Sequence, residues 1–248
     1  MDWTRSDPEA RGAFRRAVVV AYVCFGANLV ASAAAALILR HGSDLHPLAE
    51  RSSWVLANVR DWRIAWGTWM VAGPTLVLFY AAFAATLSDE MRLVRGVAVA
   101  TATAGLAADL YAEYLLAFLL PARYASLPPG ESTRVLLTLP QTREVLAAEG
   151  TATLLTGALA NGLYTIAGMM IAVAAHSTRG FPRALAWASA PAWALGIALS
   201  VSVMLRHPWA TAVSMAALMA CFLAWVAAVT HALWRRAMGR VDKLPASK

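Results

Sequence analysis

Charge is what this chain has little of: Asp, Glu, Lys and Arg make up 14% of its 248 residues, while 60% are hydrophobic. The apolar residues come in long blocks rather than in the short alternations of a soluble fold, which excludes an ordinary globular domain. Cysteine is scarce as well. Cys24 and Cys221 stand alone inside apolar runs with no C-x-x-C or metal-type spacing, so packing is their expected role and no disulfide is expected. No Lys falls in an apolar run, which excludes a retinal Schiff base, and His176, His207 and His231 lie at or near run ends, which argues against a haem held between helices. The chain also has no phosphate-binding glycine loop, no G-x-S-x-G elbow and no H-E-x-x-H pair. No cofactor is therefore expected, and no nucleophile, base or metal constellation for an enzyme can be assembled.

What is present is six apolar runs, near 17–39, 64–87, 93–120, 151–175, 183–205 and 209–234, each long enough to cross a bilayer as a helix. The expected fold is an all-α, polytopic transmembrane bundle of six spans occupying 17–234, with an N-terminal segment 1–16 and a C-terminal tail 235–248. Pro121 stops the third run, and Pro182 and Pro208 fall at first-turn positions of the fifth and sixth, where a missing N–H costs nothing. Trp62, Trp66 and Trp69, with Trp187, Trp193, Trp209 and Trp234, lie near run ends, where amphipathic rings sit at headgroup level. Ala31-Ser32-Ala33 fits a signal-peptidase pattern, but the apolar run continues to Leu39 and exceeds a usual signal core, so the first span is expected to be retained.

With six spans, the two termini and the two short turns between spans hold 13 Lys or Arg against eight on the opposite side. That excess places both termini in the cytoplasm of an inner (plasma) membrane protein. Basic residues are scattered without a recognition motif, so anionic lipid headgroups rather than nucleic acid are the expected partners of a pI near 10. The stretches Arg40–Arg63 and Pro121–Gly150 are long; the second contains Pro128-Pro129-Gly130 and then a short helix from Pro140 leading into span four. His41-x-x-Asp44-x-His46 offers three potential ligands within six residues, but the irregular segment before Pro47 gives no ligand geometry, so no metal is expected.

Asp109 and Glu113 are the exceptions to the apolar rule. They sit one helical turn apart in a stretch that no Lys or Arg interrupts between Arg95 and Arg123, and ionisable groups inside a span mark a cavity, a bundle interior or a proton path. Their spacing places both on one face, where two carboxyls do not both ionise easily. At about 1.5 Å rise per residue, Asp109 lies near the middle of span three, level with Asn161 of span four, Asn28 of span one and Gly73-Pro74-Thr75 of span two. Asp109, Glu113, Asn161, Asn28 and Tyr164 are accordingly the candidate substrate-binding or proton-relay residues, with Glu113 also within reach of an interfacial Arg63 or Arg40. Thr101-x-x-x-Gly105 and Ala158-x-x-x-Gly162 read as small-residue grooves that bring spans three and four together.

Gly180-Phe-Pro-Arg-Ala-Leu-Ala-Trp187, preceded by Asn161-Gly-Leu-Tyr164, resembles a pattern in uncharacterised bacterial six-span integral membrane proteins grouped as a domain of unknown function. The resemblance covers the last three spans and implies a bacterial inner-membrane location with no activity attached. Three functional readings follow from the residues. The polar layer and Pro74 point to a small proton-coupled transporter or permease acting on a small molecule or proton; small-residue faces point to a scaffolding subunit with a membrane-protein partner or a second copy; a lipid-modifying enzyme is the third.

Overall fold

The computed structural model describes Trp3 and residues 8–238, and among these every regular element is helical. Span one is α1, Pro8–Leu37. A 3-10 turn at Leu39–Gly42 leads to the short α2, Leu48–Ala57, and span two is α3, Val59–Ala84. Span three is α4, Arg92–Tyr114, continued by a π-helical segment Leu115–Leu119 and by α5, Leu120–Tyr124. After α6, Thr133–Leu136, span four comprises α7, Pro140–Thr153, a second π segment Leu154–Ala160, and α8, Asn161–Ser177. The short α9, Arg183–Trp187, and α10, Ala190–Met204, make span five, and α11, Pro208–Ala237, is span six. Six helical stretches are long and apolar enough to cross a membrane, so the chain is an all-α multi-pass membrane protein. The expected tail 235–248 lies outside the described residues from 239 onward.

Span three runs through Pro121 to Tyr124 rather than stopping at the proline, and span two begins at Val59 rather than 64. Two further boundaries differ from the expectation. Helix α1 begins at Pro8 rather than 17, and the helix from Pro140 does not merely lead into span four but is continuous with it. Amphipathic first turns explain both: hydropathy alone reports where a helix turns apolar, not where it starts. Trp3 belongs to the bundle too. It is buried against Phe14 and Phe181, at ring distances of 5.1 and 4.8 Å, and its Nε1 donates to Thr86 O at 2.7 Å.

Each span packs on the next in sequence, and α1 also packs on α11, so the six close into a ring. Short connections such as Ala85–Ser88 and Leu205–His207 enforce this antiparallel order. The second of these ends α10 with Arg206 in the left-handed region, φ 52°, while His207 N–H donates to Ser202 O at 3.0 Å and Arg206 N–H to Val203 O at 3.0 Å. That paired bonding is a Schellman stop, with arginine where glycine is usual.

Two apolar clusters fill the ring. One occupies the end that carries Trp3 and draws on all six spans: Phe79, Tyr80 and Phe83 of α3 meet Ile171 of α8, Trp193 of α10 and Trp225 of α11. Several of its aromatic rings meet edge to face, as Trp193 and Trp225 do at 5.4 Å and 74°, while Phe79 and Phe83 stack at 9°. Glycine makes this possible, because a Cβ at Gly168 would stand 2.3 Å from the Trp193 ring and one at Gly196 would stand 2.2 Å from Thr165 Oγ1. Trp193 and Trp62 are therefore core residues, 7% and 2% exposed, and not interfacial anchors as their place near span ends suggested, whereas Trp187 and Trp209 do face outward.

The other cluster lies at the opposite end and uses only spans one to four together with α2, α5, α6 and α7: Leu39, Val55, Trp62, Leu116, Tyr124, Leu136 and Val145. Charge completes this end. Arg51 of α2 donates to Glu149 Oε2 of α7 at 2.7 Å and to His46 O at 3.0 Å, and Tyr124 OH donates to Glu149 Oε1 at 3.0 Å. Burial by itself would lower the Arg51 pKa, but Glu149 and Tyr124 outweigh it and leave the guanidinium above its ordinary value. Ala49 N–H donates to Thr133 Oγ1 at 3.1 Å, and Arg123 pairs with Glu144 at 2.5 Å. A groove of about 200 Å³ remains between α2 and the 124–136 segment, bordered by Ser52, Tyr124, Pro128 and Leu136.

Candidate functional site

The seam between the two clusters is where the polar residues sit. Along span three the Trp3-end cluster takes Ala98 and Ala102, and the opposite cluster takes Ala112 and Leu116. Asp109 and Glu113 belong to neither. In span one the change of cluster falls between Phe25 and Ala34, bracketing Asn28; in span two between Trp69 and Leu76, bracketing Gly73 and Pro74; in span four between Leu155 and Ala158, bracketing Thr156. Of the expected layer, Asn28, Gly73-Pro74 and Asp109 stand where the clusters change, whereas in span four that place is taken by Thr156 and not by Asn161.

Asp109 is the organised member of the carboxyl pair. Its Oδ1 accepts from Thr156 Oγ1 at 2.5 Å and its Oδ2 from Tyr164 OH at 3.2 Å, so each oxygen is occupied. Thr156 reaches it from the π segment of span four and Tyr164 from two turns further along α8. A π segment carries one surplus residue in its turn, which widens the helix and changes its facing, and such segments recur at functional sites. On the other side Gly73 admits the group: a Cβ there would lie 2.9 Å from Leu106 Cδ1, 3.4 Å from Tyr164 OH and 3.7 Å from Asp109 Oδ2. Tyr164 is held in turn, its carbonyl accepting from Tyr80 OH at 3.3 Å.

Glu113 contrasts with its neighbour. It is 1% exposed, and its Oε2 is buried with no hydrogen-bond partner. No ion pair joins it to Arg63 or Arg40, the interfacial residues considered from sequence: the Arg63 guanidinium lies over the Phe118 ring at 5.5 Å, and Arg40 Nε donates to His41 Nε2 at 3.4 Å. The nearest turns of the two flanking helices supply another unmet group. Trp62 Nε1 donates to Leu116 O at 2.7 Å, while Trp66 Nε1, one turn along α3 towards Gly73, is buried without a partner. Between the Trp62–Leu116 bond and the Gly73–Asp109 contact, α3 thus carries an orphan donor and α4 an orphan acceptor.

The remaining sequence candidates go elsewhere. Asn161 turns to α10, its Nδ2 donating to Gly196 O at 2.7 Å and Ser200 Oγ at 2.9 Å. Asn28 stays on its own helix and donates to Cys24 O at 2.9 Å. Of the paired grooves, Gly105 does bring spans three and four together, at 3.2 Å from Ala160 O for a Cβ, whereas Gly162 faces Ser200 of span five. Tyr111 and Tyr114 are more than half exposed on the bundle flank. His41 stacks on Trp54 at 5.1 Å, and among the described residues no three His, Cys, Asp or Glu side chains are grouped to hold a metal ion.

Depth within one helix is also not depth within the bundle. A Cβ at Gly157, next to Thr156, would lie 2.8 Å from Val203 in the last turn of α10. Asp109, bonded to Thr156, therefore stands near the end of the span five–six hairpin that points away from Trp3, although it is central in the long span-three helix. Sequence reasoning missed Thr156 and the Arg51–Glu149–Tyr124 group. A single threonine in an apolar run carries no signal, but Glu149 just before span four and the Arg51 of a long loop were available as a pair of opposite charges. No family model, curated protein or solved structure matches the chain.

Proposed function

We propose that the chain is a small proton-coupled carrier of the bacterial inner membrane whose exchange site is the Asp109–Glu113 pair. The observation that supports this reading is the inequality of the pair: Asp109 has both oxygens engaged, while Glu113 is just as fully buried and has an oxygen with no partner. A charged carboxylate with no partner at that depth costs several kcal/mol. Such a group carries a proton or meets a cation, and alternation between the two is the chemistry of coupled exchange. Asp109 is the positioning residue, clamped by Thr156 and Tyr164 so that its charge or proton stays one turn from Glu113. With both termini cytoplasmic, as the distribution of Lys and Arg favours, the Arg51 end faces outward and Glu113 lies on the outward side of Asp109.

The test is proton movement across liposomes holding the purified chain and a trapped pH dye. Glu113→Gln, which keeps shape and removes the exchangeable proton, is expected to abolish gradient-driven dye response while leaving the thermal unfolding profile intact. Glu113→Asp should retain part of it. Proton movement by Glu113→Gln at the wild-type rate would overturn the reading.

A further inference from the structure

Above the carboxyl pair, towards the Arg51 end, aromatic rings follow one another in contact. His46 and His41 lie 6.2 Å apart, His41 and Trp54 5.1 Å, Trp54 and Trp62 6.5 Å, and Trp62 and Trp66 5.8 Å. These rings come from the 39–47 segment, α2 and α3, so their series is not the by-product of one helical period. It starts at His46, whose side chain is 41% exposed, and ends at Trp66, whose Nε1 has no partner. The close approach is built in: a Cβ at Gly42 would fall 2.4 Å from the Trp62 ring.

The chemistry of this wall favours one class of ligand. Ring faces attract cations within about 6 Å, tryptophan most strongly, and a quaternary or alkyl ammonium group is the usual beneficiary. With Trp62 bonded to Leu116 and Gly73 beside Asp109, the register of α3 on α4 sets Trp66, the last ring, at the level of Glu113, a buried carboxyl with an open acceptor. Of the cationic side chains nearby, Arg51 bonds Glu149, Arg63 lies over the Phe118 ring on the flank and Arg40 donates to His41 Nε2. Glu50, 4.0 Å from His46, adds negative charge at the exposed start. Trp66 Nε1 asks for something more, an acceptor atom on the same ligand, because a buried donor left unpaired is a cost that a well-matched ligand removes.

Resting on the carrier reading above, we infer that the cargo exchanged against the Glu113 proton is a small organic ammonium ion bearing an oxygen, its cationic head at Glu113 and its oxygen on Trp66 Nε1. Exchange is balanced without covalent change: the proton leaves the carboxyl as the ammonium ion arrives, and returns as it departs.

Choline and tetramethylammonium separate the two contacts, since both carry the same fixed charge and only choline carries a hydroxyl oxygen. In phosphatidylglycerol liposomes with a trapped pH dye, external choline is expected to drive protons out of the lumen, with half-saturation about tenfold lower than for tetramethylammonium, and sodium to drive none. One hydrogen bond is the source of that factor. Trp66→Phe, which keeps a ring and loses the N–H, should bring choline to the tetramethylammonium level, and Glu113→Gln should remove both responses while binding of labelled choline to the detergent-solubilised protein also falls. Proton movement that depends on Glu113 but ignores both ammonium ions would overturn the cargo and leave the carrier reading standing. Choline binding lost in Glu113→Gln without any proton movement would keep the ammonium site and overturn the carrier. Equal half-saturation for the two ions in wild type would overturn the role given to Trp66.

Discussion

The two ends of the bundle are built on different principles. At the Trp3 end six spans converge on one aromatic cluster, with turns of a few residues and Gly168 making room for the Trp193 ring. At the opposite end only four spans continue, and short helices held by buried charge finish the wall: Arg51, Glu149 and Tyr124 form one knot, Arg123 and Glu144 a more exposed one. The difference teaches where adaptability is located. Close apolar packing is bistable at best and resists small displacement, whereas helices pinned by a few polar bonds open by breaking those bonds. The carboxyl pair lies on the border, with its organised member tied to span four and its unpartnered member on the side of the looser end.

The largest expected effect breaks that contrast from the looser side. Arg51→Met strands Glu149 as a buried charge and is expected to cost about 3–5 kcal/mol, concentrated in α2 and the 125–139 connection. Hydrogen exchange should rise there while the amides of α10 and α11 remain protected; a uniform rise through all six spans would show that the ends are one cooperative unit. Next comes Gly168→Ala, which forces a methyl into the Trp193 ring and should cost about 1–3 kcal/mol. Here the readout is global unfolding in detergent, with Gly150→Ala, where a Cβ meets nothing within 4 Å, as the unaffected control. A loss confined to the Arg51 end would contradict the assignment of Gly168 to the rigid half. Smallest is Arg206→Gly, which relieves a left-handed arginine at the α10–α11 stop and should raise stability by about 1 kcal/mol; a decrease would mean that the arginine side chain matters more than its backbone.

Much of the fold was legible because hydropathy is a one-dimensional property. Blocks of apolar residues gave six spans, and Pro208 does stand in the first turn of α11, whereas Pro182 is the residue just before α9 and Pro121 lies within α5 rather than ending span three. Depth was legible in part: Asn28, Gly73 and Asp109 do fall at the seam between the clusters, while Asn161 lies beyond it and the seam itself sits near one end of the span five–six hairpin. Facing was not. Asn161 was expected beside Asp109 at matching depth, yet it turns to Gly196 and Ser200, while Thr156 and Tyr164 take the carboxylate. The reason is the π segment immediately before Asn161, which changes the azimuth of every residue on one side of it relative to a regular helix and has no compositional mark. Likewise the ranking of the acids could not be read from spacing, since an i, i+4 pair is symmetric until its partners are known. Thr156 and Tyr164, 47 and 55 residues beyond Asp109 and on another span, decide it.

Those irregular turns have a consequence for how the two ends stay aligned. Each residue of a regular helix advances the facing by about 100°, so the one surplus residue within Leu154–Ala160 sets the phase between α7 and α8. Glu149 meets Arg51 and Asn161 meets Ser200 only for one value of that phase. Were the surplus residue absorbed into regular winding, α7 would have to rotate as a body, and the Arg51 knot would come undone without any contact in the aromatic cluster being touched. Span four is thus a shaft with an indexing notch, and Thr156, seated in the notch, is the residue through which Asp109 holds the setting.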